Sequence, residues 1–153
     1  MSFPRMLDTC TLSAYIGSRA REKTPLLVKR VEEIIATDGA RISIVTMYEI
    51  DRGLRKLELE GQGRRKRRVF TMILGGTTVY GLDAPAARGW EIAADLHAHA
   101  AVRSPALIIA EADLLIIATA VAHGLMLVTS DVAMAEHARI LGLGAQVELL
   151  AVA

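Results

Sequence analysis

Four carboxylates of this 153-residue chain have the residue type and placement needed to hold a hard cation: Asp8, Glu49, Asp113 and Asp131. Three of them lie beside apolar runs that are predicted to be buried. A buried charge is costly unless it is paired or coordinates a metal. Carboxylate oxygens are preferred ligands of Mg²⁺ and Mn²⁺, and such ions can activate water for phosphodiester cleavage. If the fold gathers these acids, hydrolysis of a phosphodiester is the chemistry they would support.

The elements around these acids predict how they are positioned. Short β-branched or apolar runs alternate with helical patterns, which favours a parallel sheet covered by helices on both faces. The predicted fold class is therefore α/β, a single-domain three-layer α/β/α sandwich with a short parallel sheet over residues 1–153. Strands are predicted at 5–7, 41–45, 77–80, 125–128 and 147–150, and helices at 11–16, 26–36, 46–59, 64–74, 84–102, 110–123 and 131–141. Sites in such sheets lie beyond the carboxyl ends of the strands.

Asp8 and Asp131 each follow a predicted strand, which favours a place in such a site. Each also has an ordinary structural explanation. Asp8 could cap the helix that begins near Thr11, and Asp131 could favour the positive end of a helix capped by Thr129 or Ser130. Both interpretations stay open at this stage.

Glu49 and Asp113 differ in how well a structural role explains them. Glu49 stands three residues after Thr46, which is the spacing of a capping box, although the same position can face the strand ends. Asp113 is harder to explain, because a carboxylate on a buried face is expensive and a helix N-terminus offsets less than about 2 kcal/mol. Its predicted helical face carries four apolar residues: Ile109, Ile116, Ile117 and Ala120.

Composition limits the function classes and the compartment. The hydrophobic fraction of 52% excludes a disordered chain, and the aromatic fraction of 4% gives little material for stacking bases. The single cysteine, Cys10, excludes an internal disulfide and fits a reducing, cytoplasmic compartment. The N-terminus lacks the pattern of a signal peptide. The apolar stretch 106–128 contains acids, so we expect a buried helix and a strand there, not a membrane span.

One strongly basic cluster spans residues 64–68, although the net charge is only +1. Arg64, Arg67 and Arg68 share one predicted helical face, which makes them candidates for contact with RNA phosphates. A solvated helix face and a surface for an acidic partner remain open alternatives.

Four segments in order resemble those of a PIN-domain ribonuclease of the VapC type, the toxin of a type II toxin–antitoxin pair. They carry the acids Asp8, Glu49, Asp113 and Asp131 in turn. The segments are Met6-Leu7-Asp8-Thr9-Cys10, Ile42 to Glu49 with Gly53-Leu54 following, Glu111 to Ala120, and His123 to Asp131. Cys10 stands where the family commonly has Asn, and the Asn-x-x-x-Phe often found at the last junction is absent.

The resemblance implies a PIN-like fold and an endoribonuclease that depends on Mg²⁺ or Mn²⁺. Asp8, Glu49, Asp113 and Asp131 would be both the metal ligands and the catalytic residues, and a metal-activated water would attack the RNA. It also implies a homodimer and a small antitoxin partner. Two alternatives remain. One is a non-catalytic PIN-like module that binds RNA or a partner. The other is a receiver-like domain, which is less well supported because the last strand lacks a suitable lysine.

Overall fold

Five short runs form one parallel sheet in the computed structural model, which describes residues 3–23 and 25–150. The strands are β1 (Arg5–Leu7), β2 (Ala40–Ser43), β3 (Thr77–Tyr80), β4 (Met126–Thr129) and β5 (Val147–Leu149). Their order across the sheet is β3-β2-β1-β4-β5, and every pairing is parallel. Such a sheet needs a helix or a long crossover between strands, which explains the alternation seen in the sequence.

The helices between the strands form the outer layers. Their bounds are α1 (Thr9–Ala20), α2 (Leu26–Asp38), α3 (Ile44–Leu59), α4 (Arg64–Leu74), α5 (Arg88–Ala101), α6 (Glu111–Ala122) and α7 (Val132–Ile140). A short 3₁₀ turn over Gly144–Gln146 leads into β5. Two apolar cores result, because alternate strand residues point to opposite faces. Leu7 packs with the α1–α4 layer and Met6 with the α5–α7 layer.

The order of the strands creates a crevice beside β1. The chain moves from β1 to β2 and β3 on one side, then returns to β4 and β5 on the other. Leu7 lies opposite both Ile42 and Val128 in the ladders, so Asp8 emerges level with the ends of β2 and β4. Ligands bind at such switch points in open α/β sheets. The predicted α/β/α sandwich is confirmed, and this crevice is where its chemistry is expected.

Three predicted helix starts were wrong by two or more residues, and the first is that of α1, which begins at Thr9 instead of residue 11. α3 begins at Ile44 with Ser43 as its N-cap, so β2 is shorter than predicted and Thr46 lies inside the helix. α5 begins at Arg88, four residues later than predicted. Pro85 disfavours helical geometry at Ala84, and the alanines before Arg88 form a turn despite their helix propensity.

The apolar stretch 106–128 becomes α6 and β4, as predicted. α6 has only 12 residues and packs in the core through Ile116 and Ile117. Among the helices that the structure describes, none has the length and apolar character needed to cross a membrane.

Candidate active site at the strand ends

Asp8 lies at the centre of the crevice and is held on both carboxylate oxygens. Its backbone N–H donates to the Val128 carbonyl at 3.0 Å, which continues the β1–β4 ladder by one residue. Oδ1 accepts the Thr11 N–H at 2.9 Å, and Oδ2 accepts the Thr129 hydroxyl at 2.5 Å. Asp8 is therefore the N-cap of α1, which begins at Thr9 and not at Thr11. The capping role and a place in the crevice coexist in one side chain.

Burial dominates the acidity of Asp8, whose exposed fraction is only 2%. Loss of solvent raises the pKa of the carboxyl above its usual value. The hydrogen bonds from Thr11 and Thr129 act in the opposite direction, and the negative charge of Asp131 raises the pKa further. A buried acid of this kind is stabilised in its charged form by any cation that approaches it.

Asp131 lies beyond β4 and is coupled to Asp8 through Thr129. Its backbone N–H donates to Thr129 Oγ1 at 3.0 Å, while the same hydroxyl donates to Asp8. Oδ1 of Asp131 accepts the N–H groups of Ala133 at 2.9 Å and Met134 at 3.4 Å. The prediction that Thr129 or Ser130 caps α7 was wrong, because Asp131 is itself the cap.

Glu49 enters the site from the second turn of α3. Thr9 donates its hydroxyl to Glu49 Oε1 at 2.7 Å, and Arg52 lies 3.6 Å from Oε2. The capping-box interpretation of Glu49 with Thr46 was wrong, because Ser43 caps this helix by accepting the Val45 N–H at 3.1 Å. Glu49 thus has no capping role. Its hydrogen bond with Thr9 directs its side chain toward the residue that follows Asp8 in the chain.

Asp113 is the acid whose pKa is raised by the charges of the other three. It lies half-buried in the first turn of α6, which follows a loop and not a strand. Burial is the main cause of its raised pKa, and the charges of Glu49, Asp131 and Asp8 add to it. His137 opposes the shift weakly, and no hydrogen bond from the described residues contributes. The fold therefore brings all four acids into one negative field.

A buried hydrogen bond between α3's cap and α6 was missed by the sequence analysis. Ser43 Oγ lies 3.1 Å from Thr119 Oγ1, and both side chains are fully buried. Thr119 also donates to the Leu115 carbonyl at 2.7 Å, so Ser43 is the donor to Thr119. The link fixes the start of the helix that carries Glu49 against the helix that carries Asp113. The sequence could have indicated this bond, because Ser43 and Thr119 each lie within an apolar run and a buried hydroxyl needs a hydrogen-bond partner.

The chemistry of the donor set fits a hard divalent cation. Asp8 and Asp113 both have raised pKa values, in a field made mainly by acids. Over residues 3–23 and 25–150, however, no three His, Cys, Asp or Glu side chains converge as a ready ligand set. Magnesium is commonly held by one or two carboxylates, with waters and substrate phosphates completing the shell. Direct coordination by all four acids remains a prediction.

The three arginines of the predicted basic face on α4 differ in their surroundings. Arg67 donates to Asp51 at 2.8 Å and to Glu58 at 2.6 Å, so its charge is used to tie α4 to α3. Arg64 and Arg68 are exposed to solvent. Contact of Arg64, Arg67 and Arg68 with RNA remains a prediction, and the ion pairs of Arg67 favour a structural role for that residue.

Solved structures with the same fold come from two-component complexes. A chain in the crystal structure of VapBC2 from Rickettsia felis bound to a DNA fragment from its promoter has a TM-score of 0.73 and 20% identity, with 96% of this chain and 98% of that chain covered. A chain of the DNA-bound VapBC from Salmonella typhimurium gives 0.65 and 20%, covering 88% and 91%. A chain of FitAcB from Neisseria gonorrhoeae gives 0.59 and 23%, covering 88% and 93%. These likenesses establish the fold.

Comparison at the level of sequence gives the family. No curated protein matches the chain significantly. The family model of the PIN domain matches residues 5–140, which run from β1 to the end of α7 and include the four acids. The chain belongs to the PIN domain family.

Proposed function

We propose that this protein is a metal-dependent endoribonuclease and the toxin of a VapC-type toxin–antitoxin pair. The observation that carries the proposal is the field around Asp113, a half-buried acid on which Glu49, Asp131 and Asp8 all act by charge. Among the described residues that act on Asp113 by charge, only His137 opposes the three acids, so the arrangement raises the free energy of the folded protein. Retaining such a site is expected where a cation and a phosphate occupy it in function.

The proposed ligands are Asp8, Glu49, Asp113 and Asp131. A bound Mg²⁺ or Mn²⁺ would supply an activated water and neutralise charge on the phosphodiester during cleavage. The chain's own residues set the geometry. Thr11 and Thr129 each donate to one oxygen of Asp8, and Thr9 donates to Oε1 of Glu49, so the carboxylate oxygens keep further lone pairs for other contacts.

The partners and compartment follow from the family and the fold neighbours. VapBC and FitAB are solved as two-component complexes on DNA, which supports a small antitoxin as the partner of this chain. We also propose that the protein forms a homodimer and acts in the cytoplasm, where its RNA substrate lies. The single cysteine agrees with that compartment.

The test is cleavage of total RNA by purified protein freed of any antitoxin. Reactions contain Mg²⁺, Mn²⁺ or EDTA, and compare the wild type with Asp8→Asn and Asp113→Asn. Glu111→Gln is the matched control, because Glu111 lies in the same first turn of α6 as Asp113 but is exposed. We expect discrete fragments with wild type and Glu111→Gln, and none with EDTA or with either aspartate variant.

Two results would contradict the proposal. Cleavage that survives Asp113→Asn would show that the activity comes from elsewhere. Absence of cleavage on many RNAs, together with no stabilisation of the protein by Mg²⁺ or Mn²⁺, would favour a non-catalytic binding module, since a ligand of the native state must raise stability by mass action.

A further inference from the structure

Two neighbouring cavities form a groove that runs from Glu49, the one acid of the site that lines it, past apolar residues of α1 and α3 to the basic residues of α4. The first, of about 180 Å³, is lined by Thr9 and Glu49 at one end and by Lys66 at the other. The second, of about 520 Å³, is lined by Arg21, Arg64, Arg65 and Lys66 among others. Leu57 and Lys66 line both cavities, so the two adjoin along α3 and α4.

The charges along this groove change sign over its length. Its acidic end is the Glu49 carboxylate, held by Thr9 next to Asp8. Its basic end carries four cationic side chains on α1's C-terminal turn and α4's first turn: Arg21, Arg64, Arg65 and Lys66. The ion pairs that α4 makes with the rest of the described chain are those of Arg67, which points to Asp51 and Glu58. The four cations of the groove are therefore available to a ligand.

We infer that this groove is a phosphate-binding track for single-stranded RNA, with Arg65 and Lys66 as its central contacts. The inference rests on the proposed function and adds the path of the substrate to it. A strand whose scissile phosphate lies at the acids would pass Lys66 first and then Arg65, Arg64 and Arg21. These contacts would be made to the backbone, so they would add affinity without reading sequence. Of the basic face predicted from sequence, only Arg64 lines this groove. The proposed RNA contacts therefore omit Arg67 and Arg68 and add Arg21, Arg65 and Lys66.

The position of Glu49 at one end of the groove favours RNA over an acidic protein as the occupant. A nuclease must hold its substrate against the repulsion that four carboxylates exert on each phosphate. The cations of the groove offset that repulsion for the phosphates that lie outside the reach of the metal. An acidic protein segment lying in this groove would instead bring its carboxylates toward Glu49.

The test measures binding separately from cleavage. A fluorescently labelled single-stranded RNA of mixed sequence is titrated with Asp113→Asn protein over a range of salt concentrations, with anisotropy as the readout. The variant Arg65→Gln/Lys66→Gln is compared with Lys29→Gln/Arg30→Gln, which also removes one arginine and one lysine. Lys29 and Arg30 are adjacent and exposed on α2, away from the groove.

We expect the groove variant to bind RNA roughly 10- to 30-fold more weakly at 0.1 M salt, and the α2 variant to match its parent. Each phosphate contact on a single strand contributes about 0.7 to the slope of log K against log salt, so the groove variant should lose about 1.4 of slope. In the cleavage-competent background, KM should rise while kcat stays near the wild-type value, as for a contact made before and during the reaction.

The outcomes separate this inference from the proposed function. If the wild type cleaves RNA but the groove variant binds as its parent does, the track is wrong and the nuclease stands. Equal losses in both double variants would show a general charge effect and would also overturn the track. If the Asp113→Asn protein does not bind RNA while the wild type still cleaves with metal, the track again fails. If neither binding nor cleavage occurs, both proposals fall.

Discussion

Thr129 joins Asp8 to Asp131 with a single hydroxyl, although 121 residues separate Thr129 from Asp8. The hydroxyl donates to Asp8 Oδ2 at 2.5 Å and accepts the Asp131 N–H at 3.0 Å. Thr129 is fully buried, so its hydroxyl makes these two hydrogen bonds out of contact with solvent. The geometry of two of the four acids therefore depends on one neutral side chain at the end of β4.

Thr129→Val should impair both stability and activity. Valine keeps the shape but leaves a buried carboxylate oxygen without its donor, which costs about 1–3 kcal/mol. Loss of that donor also raises the pKa of Asp8 further, because the hydrogen bond favours the charged form. We expect a lower urea midpoint and a pH–activity curve displaced to higher pH. Thr129→Ser, which keeps the hydroxyl, should restore the curve, and an unchanged profile in the valine variant would refute the role.

Asp113→Asn should abolish RNA cleavage while stabilising the metal-free protein. The raised pKa of Asp113 means that its charged form is disfavoured by burial and by three neighbouring acids. Removing the charge relieves this cost, and each 1 kcal/mol corresponds to about 2–4 °C in Tm for a chain of this size. Thermal unfolding in EDTA should therefore give a higher Tm than wild type. Saturating Mg²⁺ should reduce or reverse the difference, because the wild type gains more from the ion; a lower Tm in EDTA would contradict the prediction.

The stability of the metal-free protein should fall as pH rises above the ordinary range of aspartates, which is about 4. The pKa values of Asp8 and Asp113 are raised in the folded state, so over this interval the folded protein binds more protons than the unfolded chain. Their stabilising contribution is complete below the unfolded pKa and is lost as pH passes through the folded pKa. Unfolding in EDTA from pH 4 upward measures this. The Asp8→Asn/Asp113→Asn variant should show a flatter profile, and an identical slope would be evidence against the linkage.

Much of this architecture follows from local sequence patterns, and the remainder depends on contacts that are distant in the chain. β1, β3 and α4 lie where alternation and helical spacing predict them. The start of α3 was missed because Ser43 lies inside the β-branched run Ile42 to Val45, and its role as a cap depends on where the sheet stops. The family pattern named all four acids, and the cap that Asp8 makes to Thr11 follows from local sequence. No local pattern could predict the distant partners, Thr129 on β4 for Asp8 and Thr119 on α6 for Ser43. Such pairings are set by the sheet order and not by neighbours in sequence.

The hydrogen bond between Ser43 and Thr119 gives the last prediction. Thr119→Val and Ser43→Ala each remove one side of a buried pair, and each should lower the free energy of unfolding by about 1–3 kcal/mol. Because the two hydroxyls are direct partners, a double-mutant cycle should give a coupling energy of about 0.5–3 kcal/mol. The pair fixes α3 against α6, so the valine variant should also cleave RNA more slowly than Thr119→Ser at equal folded fraction. Additive losses of stability, with full activity in Thr119→Val, would show that the contact does not position Glu49 relative to Asp113.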